Sequence, residues 1–447
     1  MTTLNYIKKT FAYCAMLLVA HSVTAQEKWS LERCIEHAVA NNLQIKMQEI
    51  NREAKEIDLH TARHSWLPNL NANAGQSFDF GRGTDRTGAM VDQTVTSTSL
   101  SVSSSMPLFT GFQITNDIKN KRYSVMVAEE SLKKAKENIA IAVAQSFLDV
   151  LLRKEIHKIN TETLNFTLDN VKKTEVMVNN GSVPSAQLYE IKSQQAADEV
   201  RVTTADNDVI LGLLTLGQLL ELTKVDSFDI AMPQIGDSVE LTSSNIPSPD
   251  NIFGMALSAK PQIREAELQL EGSKAMLKIA QSGYYPQLNL SAGIKDGYYR
   301  SDNANVLSFS NQISDNLQEY VGLSLQIPIF NRFAIKNNVK QARIGIAQQQ
   351  LMLEDAKKTL YKEIQQAYHN AVATQKSYRA SQKSVEAARE AFRYAHTKYQ
   401  TGKSSVYEFT EAKTTLTRSL SEEAQAKFNY VFAVKILDFY SGTPIHN

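Results

Sequence analysis

The sequence predicts a mainly α-helical protein in which one unit, made of a helix, a pair of strands and a long helical hairpin, occurs twice. Three observations support this fold class. The stretch MPLFTGFQITNDIKNKR at 106–122 returns as IPIFNRFAIKNNVKQAR at 327–343. Apolar residues recur at helical spacing through two long stretches without proline, 114–179 and 334–400. Short segments beside several prolines alternate in polarity at every second residue, which is typical of strands.

The first 25 residues have the features of a secretory signal peptide, because a basic start and an apolar run precede a site suited to cleavage before Gln26. We therefore expect an exported protein. No later segment reaches the roughly 18–20 uninterrupted apolar residues that a membrane helix needs. Cys14 would leave with the signal peptide, so Cys34 would have no partner for an intrachain disulfide.

The charges of the chain are nearly balanced, with 48 basic and 47 acidic side chains. Cleavage of the signal peptide would remove Lys8 and Lys9 and no acid, which leaves one more acidic than basic side chain. This balance gives no reason to expect a nucleic-acid partner.

Two copies of the unit account for nearly the whole mature chain. The first copy is predicted over 26–220 and the second over 252–440, with a connector at 221–251 and a short tail at 441–447. Corresponding residues are 218 positions apart up to the strands and 221 positions apart after them. This period is far longer than that of solenoid repeats, so the repeated unit is of domain size.

Each copy contains two predicted strands joined by a polar loop. Their approximate ranges are 67–80 and 94–107 in the first copy, and 286–299 and 319–328 in the second. Four prolines are predicted to mark the joints between strands and helices: Pro68, Pro107, Pro286 and Pro328. Where a strand passes into a long helix, at Pro107 and Pro328, the proline would preset the first helical turn.

Long helical hairpins are predicted after the strand pairs, over 112–220 and 333–440. In both copies the apolar residues keep one seven-residue register, which is the pattern of coiled coils. A helix of about 66 residues is about 100 Å long, so it must pack along other long helices. Gly181 and Gly402 are expected to end the first helix of each hairpin with a positive φ, and Pro184 suits the start of the next helix.

The strands favour a membrane β-barrel that one chain cannot close. They are polar on one face and have aromatic residues near their ends. An open sheet edge in lipid leaves backbone groups unpaired, so four strands are not stable there alone. Two copies would give eight strands with a filled interior, whereas three give twelve strands and a wide lumen. The sequence therefore predicts a trimeric twelve-stranded barrel joined to a barrel of long helices.

The order of these elements resembles the TolC family of outer-membrane efflux proteins over essentially the whole mature chain. The resemblance rests on the duplicated order of elements, on the P-[LI]-F joints at Pro107 and Pro328, and on YQTGKSSVYEFTEA at 399–412. It implies a homotrimer with a twelve-stranded barrel in the outer membrane of a Gram-negative bacterium. It also implies a long α-helical barrel that extends into the periplasm.

The resemblance assigns roles to the hairpin turns, which in this family form the periplasmic entrance and meet a periplasmic adaptor (membrane fusion) protein. The candidates for adaptor docking are Gly181, Ser182, Gly402 and Ser404. In the family, acidic residues at the sixth and ninth positions after the turn glycine narrow the pore, so the aperture candidates are Glu190, Glu408 and Glu411. Gln187 departs from this acidic pattern, and glutamates stand where aspartates are often found.

The aperture candidates also have an ordinary structural interpretation. Ser405 and Glu408 form the S-x-x-E pattern of a capping box at a helix start, a role that is compatible with a gate. Glu190 and Glu411 have no such alternative beyond that of any solvated glutamate on a helix.

The resulting expectation is a passive outer-membrane exit duct for small molecules or drugs, supplied by an inner-membrane pump through the adaptor. Two alternatives stay open at this point. One is the outer-membrane duct of a type I polypeptide secretion system, and the other is a periplasm-spanning structural coiled coil.

No enzymatic activity and no cofactor are expected, because the sequence contains no nucleophile elbow, phosphate loop or pair of catalytic acids. His60 and His64 have the spacing of a metal-binding pair but no third ligand nearby, so a solvated helix face is the better interpretation. GRGTDR at 81–86 lacks the third glycine of a dinucleotide-binding motif and is expected to be a loop.

Overall fold

The computed structural model describes residues 28–84, 87–225, 227–232, 247–302 and 307–443. The predicted signal peptide, much of the predicted connector and the end of the tail lie outside these residues. The first copy of the repeated unit consists of α1 Leu31–Asn41, α2 Leu43–His64, β1 Asn71–Thr84, β2 Met90–Phe109, α3 Gln113–Asn179 and α4 Ser185–Leu219. The second consists of α5 Pro249–Ala259, α6 Pro261–Ser282, β3 Gln287–Ser301, α7 Phe309–Asp315, β4 Gln318–Gln326, α8 Ala334–Gln400 and α9 Val406–Tyr440.

The helix bounds confirm the duplicated, mainly helical fold. α1 and α5 both have 11 residues, α2 and α6 have 22, and each of these pairs is offset by 218 positions. α3 and α8 both have 67 residues, α4 and α9 have 35, and these pairs are offset by 221 positions. The three-residue difference lies within the strand pairs, where α7 has no counterpart in the first copy.

The compact units of the chain do not follow the two copies. Of the described residues, one unit contains those up to Glu49, those within Leu132–Pro261 and those from Lys357 onward. The other contains Ile50–Ser131 and Gln262–Ala356. Each unit therefore draws on both copies, because a long helix buries its apolar stripe along neighbouring helices and not against a core of its own repeat.

The first unit has a continuous apolar core built from several helices. α3 contributes Val143, Phe147 and Leu151, which are almost completely buried, and α4 contributes Leu216. Cys34 on α1 belongs to the same core, and its burial raises the pKa of the thiol to about 12. Full burial of one such side chain contributes about 1.5–3 kcal/mol, so packing along the helices is the main source of stability here.

The second unit contains an antiparallel sheet in the order β1-β2-β3-β4. β1 is displaced by four residues from its predicted range, since it runs from Asn71 to Thr84, and β2 is longer than predicted at both ends, from Met90 to Phe109. The bounds of β3 and β4 lie within two residues of those predicted. Among the described residues, no helix combines the length and the apolar character required to cross a membrane.

The joint between strand and long helix differs from the prediction. Pro107 lies inside β2, at a shift of the β2–β3 register, and the long helix begins six residues later. The prediction that this proline presets the first helical turn is therefore wrong. Gly111 and Phe112, with φ of 62° and 67°, turn the chain instead, and Arg332 and Phe333 repeat this pair with φ of 54° and 64°.

The same aromatic contact accompanies both joints. The rings of Phe109 and Phe112 meet edge to face with centroids 5.4 Å apart, and those of Phe330 and Phe333 do so at 5.6 Å. Pro328 lies in the connection between β4 and α8, again six residues before the helix. Pro68 and Pro286 lie between a helix end and the following strand.

Candidate functional site: the hairpin turns and the two-faced sheet

Both hairpin turns end the preceding helix with the same hydrogen-bond pattern. Gly181 has φ of 69° and Gly402 has φ of 68°, as predicted. The N–H of Ser182 donates to the carbonyl of Met177, and the N–H of Gly181 donates to that of Val178, at 2.8 and 2.9 Å. The equivalent bonds occur at Gly402, which makes each turn a Schellman motif. Pro184 is the N-cap of α4.

The second turn joins two of the predicted site residues. Ser405 is the N-cap of α9, and its Oγ accepts the N–H of Glu408 at 3.2 Å. The carboxylate of Glu408 does not complete a reciprocal capping box, because it accepts the hydroxyl of Ser404 at 2.6 Å. The structure thus links Ser404, a docking candidate, with Glu408, an aperture candidate.

The three aperture candidates are exposed to solvent. Glu190 lies in the second turn of α4, and Glu408 and Glu411 lie in the first two turns of α9. Within the described part of the chain none of the three carboxylates forms an ion pair, and no hydrogen bond joins Glu190 to the other two. Within this part of the chain the three carboxylates therefore face solvent without a paired cation.

An aromatic core holds the second turn against α3. Tyr399 stacks on Phe409 with ring centroids 4.8 Å apart, and its hydroxyl shares a buried hydrogen bond of 2.8 Å with Thr174. His396 stacks on Phe392, and partial burial together with the charge of Lys173 lowers the pKa of its imidazole. The turn is thus fixed by side chains from three helices.

A buried charged network joins α3, α4 and α9 farther from the turns and was missed in the sequence analysis. Lys413 on α9 donates to Asp198 on α4 at 2.5 Å and to Thr167 on α3 at 2.8 Å. Gln194 adds a hydrogen bond of 2.9 Å to the other oxygen of Asp198. Burial lowers the pKa of Lys413, and the hydrogen bond and charge of Asp198 oppose that shift.

A sequence pattern could have found this network. Asp198 lies seven residues after Ile191 and seven before Ala205, all three of which are buried on α4. Lys413 lies in the same way seven residues after the buried Val406. Opposite charges at core heptad positions of two neighbouring helices indicate a buried ion pair.

The sheet has one apolar and one polar face. Paired residues of neighbouring strands point to the same side. In the register observed, the apolar residues of the first face are Ala72, Ala74, Phe78, Phe80, Leu100, Val102, Met106, Leu288, Leu290, Ala292, Ile294, Val321, Leu323 and Leu325. Polar residues on the same face include Gln76, Thr94, Thr96, Thr98, Ser104, Asp296 and Glu319. The polar face carries Asn71, Asn73, Ser77, Asp79, Ser97, Ser99, Ser101, Ser103, Asn289, Ser291, Lys295, Ser324 and Gln326. Such a sheet suits a boundary between lipid and water.

Among the described residues, β1 and β4 form the two edges of the sheet and pair with no further strand on their outer side. β4 is shorter than β3, and the overhang of β3 is covered by side chains. Gln312 of α7 accepts the N–H of Tyr299 at 2.9 Å and donates to its carbonyl at 2.8 Å. Asn316 donates to the carbonyl of Gly297 at 2.6 Å. These amides replace a missing strand along this part of β3.

His60 and His64 contact each other on α2, where Nδ1 of His64 lies 2.7 Å from the carbonyl oxygen of His60. The described residues contain no group of three or more His, Cys, Asp or Glu side chains that could hold a metal ion.

Comparison with known proteins identifies the family of this chain. The sequence model of the family described as "Outer membrane efflux protein" matches residues 34–220 and 252–443. TolC of Escherichia coli strain K12 is 26% identical over 198 residues, which is 43% of this chain and 40% of TolC, so the aligned part spans well under half of that relative. OpmQ of Pseudomonas aeruginosa, a pyoverdine export outer membrane protein, is 24% identical over 78% of this chain and 72% of its own.

Solved structures give the same fold. The structure of CusC has a TM-score of 0.75 at 19% identity and covers 92% of both chains. That of VceC from Vibrio cholerae has a TM-score of 0.73 at 16% identity, over 93% of this chain and 96% of VceC. The chain therefore belongs to the outer membrane efflux protein family. Its location in the outer membrane of a Gram-negative bacterium, expected from the sequence, is confirmed at that level.

Proposed function

We propose that this protein is the outer-membrane duct of a tripartite efflux system, through which small molecules or drugs leave passively. Three copies close a twelve-stranded barrel, an inner-membrane pump supplies the energy, and a periplasmic adaptor docks at the hairpin turns. No catalysis takes place in this chain.

The observation that carries the proposal is the two-faced sheet with unpaired outer edges. Leu323 and Val321 are 67% and 79% exposed, although they are large apolar residues in a regular strand. Lipid would cover this face, and strand pairing between copies would satisfy the edge groups that lipid cannot. The serine-rich opposite face would then line a water-filled lumen.

The exposed carboxylates at the turns would line the entrance of the duct. Three copies would bring Glu408, Glu411 and Glu190 into rings of like charge, which attract cations and are screened by salt. The Ser404 hydroxyl holds the Glu408 carboxylate at the start of α9, so its charge is positioned and not freely mobile.

The test is ion conductance of the purified mature protein in planar lipid bilayers. We expect stepwise conductance with a preference for cations. Replacing both Glu408 and Glu411 by glutamine should bring the cation-to-anion permeability ratio toward one. A matched variant, Glu386→Gln with Glu390→Gln, removes the same charge from exposed positions on α8 and should leave the ratio unchanged.

Absence of conductance from protein shown to be inserted in the bilayer would reject the duct, and an unchanged ratio would reject the entrance assignment. Drug sensitivity of a deletion strain separates small-molecule efflux from polypeptide secretion. A strain that becomes drug-sensitive while its secreted proteins stay unchanged supports efflux; the reverse result would assign the duct to secretion.

A further inference from the structure

Basic side chains gather at the end of the two long helices that adjoins the sheet. A lysine and an arginine stand three positions apart at the same place in both copies, Lys119 with Arg122 on α3 and Lys340 with Arg343 on α8. α8 carries a further lysine, Lys336, in its first turn. Neither helix has an acidic residue in its first turn. These five exposed basic residues are called the basic belt below.

The helices themselves disfavour charges of this sign at this end. The N-terminus of a helix carries partial positive charge, so it repels basic side chains in the first turns. Across the described ranges, none of the belt residues forms an ion pair with an acidic side chain. Lys121, which lies between two of them in the sequence, does form one, with Asp58 of α2 at 3.8 Å. The belt therefore has no anionic partner among the described residues.

Neighbouring helices contact other faces of α3. α6 meets α3 at Tyr123, because a Cβ placed on Gly272 of α6 would lie 3.8 Å from the Cβ of Tyr123. α2 meets α3 from the other direction, through the ion pair of Lys121. At 3.6 residues per turn, Lys119 and Arg122 project between these two contacts, on one side of the helix.

The belt has the corresponding position on α8. Ile335 faces α6, since it lies 3.2 Å from a Cβ placed on Gly283 at the end of that helix. Lys336, Lys340 and Arg343 have the i, i+4, i+7 spacing of one helix face. This face lies about a quarter turn or more from Ile335. Both long helices thus present the belt at a right angle to their contact with α6.

The handedness of the strands fixes the order of the elements. Tyr299 of β3 pairs with Ser97 on the polar face, and its N–H and carbonyl both bond to Gln312 on the β4 side. β3 runs away from the helices. For L residues in such a strand, this geometry puts β4 to the right of β3 when the sheet is seen from its polar face with the helices below.

The handedness of the helix then fixes the side that the belt faces. β2 leads into α3 and α6 leads into β3, so α6 lies to the right of α3 in the same view. A right-handed helix that runs away from the sheet with Tyr123 on its right carries Lys119 and Arg122 on the far side. The belt therefore lies on the same side as the apolar face of the sheet.

Aromatic side chains separate the belt from the sheet. Phe112 and Phe333 lie at the two joints and are 56% and 59% exposed. The ammonium of Lys336 lies 5.5 Å from the ring centroid of Phe333. Lys119 follows Phe112 by seven residues, which is about 10 Å along a helix. Aromatic residues next to basic ones, in this order, are typical of the boundary between hydrocarbon and lipid headgroups.

We infer that the basic belt binds the phosphate groups of anionic phospholipids in the periplasmic leaflet of the outer membrane. The inference rests on the function proposed above, in which lipid covers the apolar face of the sheet. Helical side chains lean toward the helix N-terminus, so the belt reaches toward the membrane. Basic side chains close to a lipid surface attract anionic headgroups, which supply the partner that the chain itself lacks.

The test is the affinity of the full mature protein in detergent for phosphatidylglycerol, measured by native mass spectrometry. The belt variant combines Lys119→Gln, Arg122→Gln, Lys340→Gln and Arg343→Gln. Each basic side chain near an anionic lipid contributes about fivefold in affinity, so the variant should bind at least about tenfold more weakly. Glutamine is a good helix former at these exposed positions, and helical circular dichroism checks that the fold is kept.

The matched control replaces two lysines and two arginines that are exposed later on α8: Lys376, Arg379, Lys383 and Arg389, each by glutamine. It should bind phosphatidylglycerol as the natural protein does. Inorganic phosphate at the same concentration should not displace the lipid, and displacement would assign the belt to a free anion instead. In the natural protein, high salt should weaken the binding of phosphatidylglycerol, and an affinity independent of salt would contradict an electrostatic site.

Two further results would overturn the lipid site. One is equal affinity of the belt variant and the natural protein. The other is an equal loss of affinity in the belt variant and in the matched control. If the belt variant instead changed the permeability ratio in planar bilayers with its lipid affinity unchanged, the belt would face the lumen. Lipid affinity is measured without a current, so loss of the site and failure of the natural protein to conduct are separate results.

Discussion

At the scale of single residues, the most unusual feature is the ion pair of Lys413 and Asp198, whose side chains are 3% and 1% exposed. Buried charges lose their hydration, and their mutual attraction roughly repays that loss only when hydrogen bonds satisfy the remaining groups. Thr167 and Gln194 supply such bonds here, and the partly exposed Arg201 forms a second ion pair with Asp198 at 3.3 Å. We therefore expect the net contribution of the pair to stability to be small.

This account predicts different effects for one substitution and for two. Asp198→Ala leaves the Lys413 ammonium buried without its partner and should lower the free energy of unfolding by about 3–5 kcal/mol. The double variant Asp198→Leu with Lys413→Met removes both charges and should recover most of the lost free energy of unfolding. The measurement is the urea midpoint of the detergent-solubilised protein, followed by helical circular dichroism. Equal midpoints for the single variant and the natural protein would contradict it.

At the scale of elements, the joint between β2 and α3 depends on space as well as on backbone angle. Gly111 and its counterpart Arg332 both have a positive φ, so the angle alone does not require glycine. A Cβ at Gly111 would lie 2.6 Å from the carbonyl oxygen of Ser282 and 2.7 Å from the Cβ of Tyr285. The close approach of the α6–β3 connection is what excludes a side chain there.

We expect Gly111→Ala to cost more than Gly402→Ala. Gly402 has a similar φ of 68° but no atom within 4 Å of an added Cβ, so alanine there should cost about 1–2 kcal/mol from the backbone alone. Overpacking at Gly111 should add about 1–3 kcal/mol to that cost. Urea midpoints of the two variants provide the comparison, and equal losses would show that the space around Gly111 adjusts freely.

The joint between β2 and α3 also shows a limit of prediction from the sequence. The repeat drew attention to the prolines. The residues that turn the chain are Gly111 and Phe112, a few positions after Pro107. Nothing local in the sequence predicts a positive φ at Phe112 or Arg332, since residues other than glycine seldom adopt that angle. The glycines at 181 and 402 were predictable because a Schellman motif is a local structure.

At the scale of the whole molecule, the two faces of the sheet predict opposite tolerance to charge. Leu323→Arg places a cation on the face proposed to meet lipid, which should cost about 2–4 kcal/mol near the middle of the membrane. Ser324→Arg places the same side chain one residue later on the polar face, where water can hydrate it.

The readout is the amount of assembled protein in the outer-membrane fraction and the temperature at which it dissociates in SDS. Leu323→Arg should reduce both strongly, whereas Ser324→Arg should change them little. Similar losses for both variants would remove the distinction between a lipid-facing and a water-facing side.

The sequence by itself determined the duplication, the lengths of the helices and the positions of the strands, because heptad spacing, alternation and turn residues act over a few neighbouring positions. It also located Glu408 and Glu411 beside the second turn. Only the tertiary structure decided that Lys413 meets Asp198, that Ser404 holds the Glu408 carboxylate, and that Leu268 on α6 is buried while its counterpart on α2, Ile50, is exposed. Each of these depends on contacts between segments far apart in the chain. The local sequence pattern is similar in both copies, so it cannot predict which of two equivalent helix faces is buried.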